Sequence, residues 1–226
     1  MKRTHQMVEK ALVEELLKGN PQPGCHLQSE RELAARFSVS RATVREALLR
    51  LQRSGWITVQ QRHPTVVNDF WTSGNLELLS SITKNSEPFP WDLTLHLLEM
   101  RAQFAPDYAR RAVENDAPRL TEYLGRASKV RNSSSNMAKY DEELHLTMAV
   151  LSGNKLYPLM MNSLSELFSR VKAELFVDEE HRNQARLFYK ELLESAGARN
   201  PDRAEVLTRT EMNKRLERFR QRMAAC

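Results

Sequence analysis

The sequence predicts a mainly α protein, with an N-terminal winged helix-turn-helix followed by a C-terminal all-α bundle. Three observations carry this. Residues 29–56, SERELAARFSVSRATVREALLRLQRSGW, hold two short amphipathic helical patterns around a tight turn. Two short β-prone runs follow within a dozen residues. From about residue 76 onward only helical patterns occur, separated by brief Asn, Ser, Gly and Pro breaks. Composition agrees, since 41% hydrophobic and 28% charged residues describe a globular chain. None of the seven glycines lies close to another, which excludes a glycine-rich phosphate loop.

Residues 5–18 predict the first helix, with Val8, Ala11, Leu12, Leu16 and Leu17 on or near one face. Gly19 suits its C-terminal cap, and Pro21, Pro23 and Gly24 prevent its continuation. Ser29 followed by Glu32 is a capping-box pattern, so a second helix starts there and runs to about Phe37. Ser38-Val39-Ser40 supplies turn and N-cap residues for a third helix from Arg41 to about Arg53. Its buried stripe is Val44, Ala47, Leu48 and Leu51. Arg41, Ala42, Thr43, Arg45, Glu46 and Arg50 take the other faces. Gly55 ends that helix, residues 56–60 and 65–67 read as strands, and Gln61-Arg62-His63-Pro64 is the tip between them. Three helices and a hairpin make the winged helix-turn-helix.

The chemistry points to DNA. An arginine fork bonds a guanine edge or a phosphate, and a threonine offers its methyl to thymine. Residues 31–62 carry seven arginines against two glutamates, an excess of five that equals the +5 of the whole chain. A solvated helix face is the bland alternative for such charge. The partner helix, the turn and the hairpin weigh against it. Arg62 at the tip is placed to reach a neighbouring groove or phosphate, the alternative being an exposed turn.

The expected domains are 1–70 for the DNA-binding unit, 71–78 for a linker, and 79–226 for a helical unit, which the resemblance described below makes the effector-binding one. Phe70 and Trp71 are expected to dock the linker onto a domain. The later helices are expected at 76–84, 91–114, 116–131, 136–151, 155–176, 179–196 and 201–223. Leu156, Leu159, Met160, Leu164, Leu167, Phe168 and Val171 form one stripe, and Met160 and Met161 are read as core filling. Cys25 and Cys226 read as free thiols in a reducing compartment. No signal peptide and no apolar run of membrane-spanning length is found, so the expectation is a cytoplasmic protein with no membrane partner.

These residues resemble the GntR family of bacterial transcription regulators. The resemblance rests on Ser29-Glu30-Arg31-Glu32-Leu33-Ala34, Val39-Ser40-Arg41, Thr43-Val44-Arg45-Glu46-Ala47-Leu48, and Leu51 through Gly55. Beyond these, residues 55–60, Pro64-Thr65, 67–74, Ser152-Gly153-Asn154 with Tyr157, and Phe188-Tyr189 are similar to the FadR-like, fatty-acid-responsive branch. The resemblance implies a homodimer that grips a palindromic operator, and a helical bundle whose effector is a long-chain acyl-CoA that releases DNA. By motif match, Arg31, Arg41, Thr43 and Arg45 take DNA-contact roles, joined at the wing by Gln61 and Arg62. Gln61-Arg62-His63 stands where the family places a wing-tip glycine.

By the same resemblance Arg101, Asp141, His145 and Tyr189 are the effector-site residues. Related FCD effector domains bind a metal through one aspartate and three histidines. Asp141 and His145 match two of these, while Tyr189 and, on a looser alignment, Asn213 stand at the others. Two protein ligands make a poor metal site, so a hydrogen-bonded Asp–His pair is expected instead, with acyl-CoA as effector and no cofactor. The C-terminal helix lacks the Tyr-Gly and Ser/Trp pattern that the branch places at acyl-CoA. The same fold sensing a small carboxylate, with a metal at Asp141 and His145, is the alternative reading. A helical enzyme with a DNA-binding domain is a distant one, because no nucleophile–base pairing or paired-carboxylate spacing is present. A constitutive DNA-architectural protein has more bundle than dimerisation needs.

Overall fold

The computed structural model describes residues 2–60, 63–86 and 90–224, without the side chains of residues 2–3 and 170–174. Gln61, Arg62, Cys226 and the Val171 side chain therefore lie outside the described residues. The chain divides into two compact units, residues 1–90 and 91–226.

In the first unit, α1 (Lys2–Leu17) buries Val8, Leu12, Val13 and Leu16. Val13 completes the stripe in place of Ala11 and Leu17, which are only half-buried. At 3.6 residues per turn those two fall on opposite flanks of the Val8–Leu16 line. Gly19, at φ 73°, turns the chain out of the helix, and the Asn20 N–H donates to the Glu15 carbonyl at 2.9 Å.

Helices α2 (Glu30–Phe37) and α3 (Arg41–Arg53) form the motif pair. The capping box is reciprocal. The Glu32 N–H donates to Ser29 Oγ at 3.3 Å, and the Ser29 N–H donates to Glu32 Oε2 at 2.8 Å. Ser38, at φ 53°, makes the left-handed step between the helices, and Ser40 Oγ accepts the Thr43 N–H at 3.2 Å. Val44, Ala47, Leu48 and Leu51 are all buried, as their spacing requires. Ser29→Ala is expected to cost about 1 kcal/mol of stability by leaving first-turn N–H groups uncapped. Urea unfolding followed by circular dichroism checks it, and an unchanged midpoint would mean that water caps the helix equally well.

Strands β1 (Ile57–Thr58) and β2 (Val66–Val67) pair antiparallel, Ile57 with Val67 and Thr58 with Val66. Both are shorter than the sequence suggests. The other edge of β2 is covered by residues 24–27, of which only Gly24 has a conformational reading from sequence, as part of the helix stop. The Gly24 N–H donates to the Val67 carbonyl at 2.8 Å, and the Val67 N–H to the Cys25 carbonyl at 2.9 Å. Gly55, at φ 86°, is needed twice, because a Cβ there would also lie 3.3 Å from the Gly74 Cα.

The segment expected as a linker is largely helical, with α4 (Phe70–Ser73) and α5 (Leu76–Asn85). Helix α5 was expected to open the C-terminal bundle, but it packs inside the first unit. It buries Leu78 and Ile82, and the Trp56 Nε1–H donates to Ser81 Oγ at 3.0 Å. The division of contacts accordingly falls after Pro90 rather than near residue 79. Phe70 docks as expected, its ring 4.6 Å from that of Trp56, whereas Trp71 is 54% exposed.

The second unit consists of α6 (Trp91–Leu124), α7 (Ser134–Leu151), α8 (Leu156–Ser163), α9 (Ser165–Leu175), α10 (Glu179–Gly197) and α11 (Pro201–Ala224). Helix α6 continues through the expected break with a single non-helical residue, Asp116, whose Oδ1 recaps the chain by accepting the Arg119 N–H at 3.1 Å. It stops at Leu124 rather than 131, and residues 127–129 form a 3-10 turn. The small side chains Ala102, Ala105, Ala109 and Ala112 let α7 and α11 pack along α6. The expected single helix 155–176 is split at Leu164 (φ −100°, ψ 3°). Leu164, Leu167 and Phe168 are buried, but Leu156 and Leu159 are exposed, so α8 does not share the stripe.

Candidate functional site

Two places on this fold gather the side chains that the sequence singles out. On the first unit, Arg31 on α2 and Arg41 and Arg45 on α3 are exposed, while Thr43 is half-buried. Thr43 Oγ1 lies 2.9 Å from Ser40 Oγ, so its hydroxyl is engaged at the helix cap and its methyl is the part left for a partner. Arg36 pairs with Glu15, and Arg50 lies 3.9 Å from Glu9, so α1 holds both against the scaffold. Arg45 donates from Nε and NH2 to the two oxygens of Glu30 at 3.0 and 2.8 Å. Glu30 belongs to the family motif, but its pairing with Arg45 is not legible in the sequence, because the two lie 15 residues apart and no local pattern links them.

On the second unit, Arg101, Asp141, His145 and Tyr189 do come together, inside the bundle rather than on its surface. Asp141 is 1% exposed and is the hub. Arg215 NH1 donates to both Asp141 oxygens at 2.9 Å, and the Tyr189 hydroxyl donates to Oδ1 at 2.9 Å. Arg101 NH1 stands 3.9 Å from Oδ2, and His145 Nε2 stands 3.8 Å from it. The Tyr108 hydroxyl meets His145 Nδ1 at 2.6 Å, and Arg215 Nε donates to Glu211 Oε1 at 2.7 Å. Burial alone would raise the Asp141 carboxyl. The charges of Arg215, His145 and Arg101 overcome it and hold the group well below the usual carboxylate range. Burial, and then the Asp141 charge, push the Tyr189 phenol up, so it stays a hydrogen-bond donor.

Arg215, Glu211 and Tyr108 were not identified from sequence. The i, i+4 spacing of Glu211 and Arg215 reads equally well as an exposed surface pair. Asn213, the looser match to a metal ligand, is exposed, and Arg215 two residues later enters the cluster. The donor set does not suit a metal ion. A guanidinium already covers both Asp141 oxygens, and Tyr189 is hydrogen-bonded to the same carboxylate. No group of three His, Cys, Asp or Glu side chains among the described residues is arranged as a cage.

Beside this cluster lies a small apolar concavity of about 30 Å³ between α6, α8 and α9. Met100, Phe104, Met160, Met161, Leu164 and Phe168 line it, so Met160 stands in a pocket wall, while Met161 both lines the pocket and packs against the core. Arg101, Tyr108 and Tyr157 complete the lining. The Arg101 guanidinium sits 3.8 Å over the Phe168 ring, and its Nε and NH2 are buried without a hydrogen-bond partner. The Tyr157 hydroxyl donates to Asp107 Oδ2 at 2.6 Å, and burial with the Asp107 contact raises that phenol to about 12.

Residues 4–67 match the family of bacterial regulatory proteins of the gntR type, and residues 68–225 match the FadR C-terminal domain. A "Fatty acid metabolism regulator protein" of Shewanella sp. (strain ANA-3) is 39% identical over 203 residues, covering 89% of this chain and 84% of the relative. The protein of the same description from Shewanella amazonensis is 39% identical over 185 residues, covering 81% and 77% respectively. Among solved structures, that of Lar, described as controlling expression of the Listeria monocytogenes agr system, covers 96% of each chain with a TM-score of 0.62. At 16% identity it speaks for the fold alone. The described helices include none long and apolar enough to cross a membrane. With both halves of the chain matched, it is a DNA-binding transcription regulator rather than an enzyme, of the GntR type, and it belongs to the FadR family.

Proposed function

We propose that this protein controls genes of fatty-acid metabolism by binding a palindromic operator as a homodimer and releasing it when a long-chain fatty acyl-CoA enters the helical unit. Arg31, Arg41, Thr43 and Arg45 contact the operator, with Gln61 and Arg62 at the wing. Arg101, with Asp141, His145 and Tyr189 behind it, receives the polar end of the effector. The observation that carries the reading is the apolar concavity with Arg101 in its wall. A buried arginine with two unpartnered donor nitrogens calls for an acceptor such as a thioester carbonyl or an anion. Its methionine and phenylalanine neighbours suit a flexible hydrocarbon chain, since methionine walls adapt to irregular shapes. The relatives' shared description as fatty acid metabolism regulators supports the same assignment.

The test is to recover fragmented genomic DNA on the purified protein with and without oleoyl-CoA. A palindromic site upstream of fatty-acid genes, lost when oleoyl-CoA is added, is the expected result. Sites beside transport or sugar-acid genes, indifferent to oleoyl-CoA, would overturn the effector assignment and leave a small carboxylate in its place.

A further inference from the structure

Glu30 begins α2, Arg45 lies on the exposed face of α3, and the two meet across the motif by a pair of hydrogen bonds. A guanidinium carries five N–H groups in one plane. The carboxylate takes the Nε–H and the near NH2–H, which is the side-on edge. The NH1 group and the far NH2–H are left over, and they form the end-on fork that fits O6 and N7 of guanine. We propose that Glu30 is a specificity-determining positioning residue, which grips the side-on edge of Arg45 so that only the end-on fork is offered to DNA. The inference rests on the reading of Arg45 as an operator contact.

Two effects follow from this arrangement. An exposed arginine loses rotamer freedom when it docks, and a side chain held in place beforehand loses less. Ordering one such side chain is worth about 2- to 12-fold in binding. The second effect acts against wrong sequences. A guanidinium already paired to a carboxylate gains less from an arbitrary phosphate, whereas its bidentate bond to a base edge is kept. The pairing is mutual: the hydrogen bond from Arg45 and the charges of Arg45 and Arg41 hold the Glu30 carboxyl below its ordinary range against partial burial. Glu30 is also an acidic residue in the first turn of α2, where it favours the helix dipole. That structural role predicts a change in stability and none in sequence preference. The capping box does not use Glu30, since it is closed by Ser29 and Glu32.

The experiment uses the full chain as wild type, Glu30→Gln, Arg45→Ala and the double variant. Fluorescence anisotropy at fixed salt measures affinity for an operator duplex, a scrambled duplex and a panel of single-base changes. The expected result is a roughly 2- to 12-fold fall in the operator-to-scrambled ratio for Glu30→Gln. Preference should relax at the same base pair that Arg45→Ala relaxes, and Glu30→Gln should add nothing in the Arg45→Ala background. A ratio unchanged by Glu30→Gln while Arg45→Ala lowers it would overturn the inference and leave the Arg45 contact standing. An equal effect of Glu30→Gln in both backgrounds would also overturn it, by showing that the carboxylate acts without Arg45. Should Arg45→Ala itself change nothing, the contact reading fails, and the positioning role fails with it.

Discussion

Replacing Asp141 by alanine is expected to destabilise the C-terminal unit by about 3–5 kcal/mol, because it strips the counter-ion from two buried arginines. Arg101 and Arg215 are 4% and 5% exposed, so water does not replace the lost carboxylate. Glu211 would still hold Arg215 through Nε, but the NH1 that now reaches both Asp141 oxygens would have no acceptor. Tyr189 would lose its acceptor as well. Urea unfolding followed by circular dichroism measures the change, with a lower midpoint and an unchanged slope as the signature. A loss below about 1 kcal/mol would mean that the arginines find other partners, and the account of the cluster as a closed charge set would be wrong. The pH dependence provides an independent check. The folded Asp141 carboxyl lies below its ordinary value of 3.8, so its contribution is complete above that pH and declines as the pH falls further. Wild type should therefore lose stability below pH 3.8 more steeply than Asp141→Ala, and the two curves should converge in acid.

Arg45→Ala is expected to weaken operator binding by about one to two orders of magnitude and to relax sequence preference at one position per half-site. The magnitude is that of losing a bidentate contact to a base edge. A phosphate contact would behave differently. It would weaken all sequences alike and flatten the dependence of affinity on salt. Titrations of operator and scrambled duplexes at several salt concentrations separate the two cases. Equal loss on both duplexes would reassign Arg45 to the DNA backbone, and no loss on either would remove it from the interface.

How much of this was legible beforehand depends on the distance along the chain over which each feature is decided. The Ser29–Glu32 capping box, the Ser40 cap and the Val44, Ala47, Leu48, Leu51 stripe each need only residues three to seven apart. All of them stand in the structure as the pattern predicts. Arg101, Asp141, His145 and Tyr189 were picked out by resemblance, and the bundle does gather them. Their neighbour Arg215 was not, although it lies closer to Asp141 than Arg101 does. It arrives from 74 residues away on another helix. Its i, i+4 glutamate made it look like one more solvated pair.

The breaks were misjudged for a related reason. Helix α5 has an ordinary amphipathic pattern, and nothing in that pattern says that Leu78 and Ile82 will pack in the first unit. Trp56 and its hydrogen bond to Ser81 decide that. Residues 24–27 carry no strand signal, and they become the outer edge of the wing only because β2 has N–H and carbonyl groups to satisfy. Local hydrogen bonds and side-chain periodicity suffice for the helix-turn-helix, its caps, the buried stripe of its second helix and the helical character of the rest, so these could be read from the residues alone. Only the tertiary structure decided which unit α5 joins, how Glu30 holds Arg45, and how Arg215 closes the charge cluster around Asp141. Each of these is a contact between distant segments, and its energy exists only once the fold has brought the partners out of water and into reach.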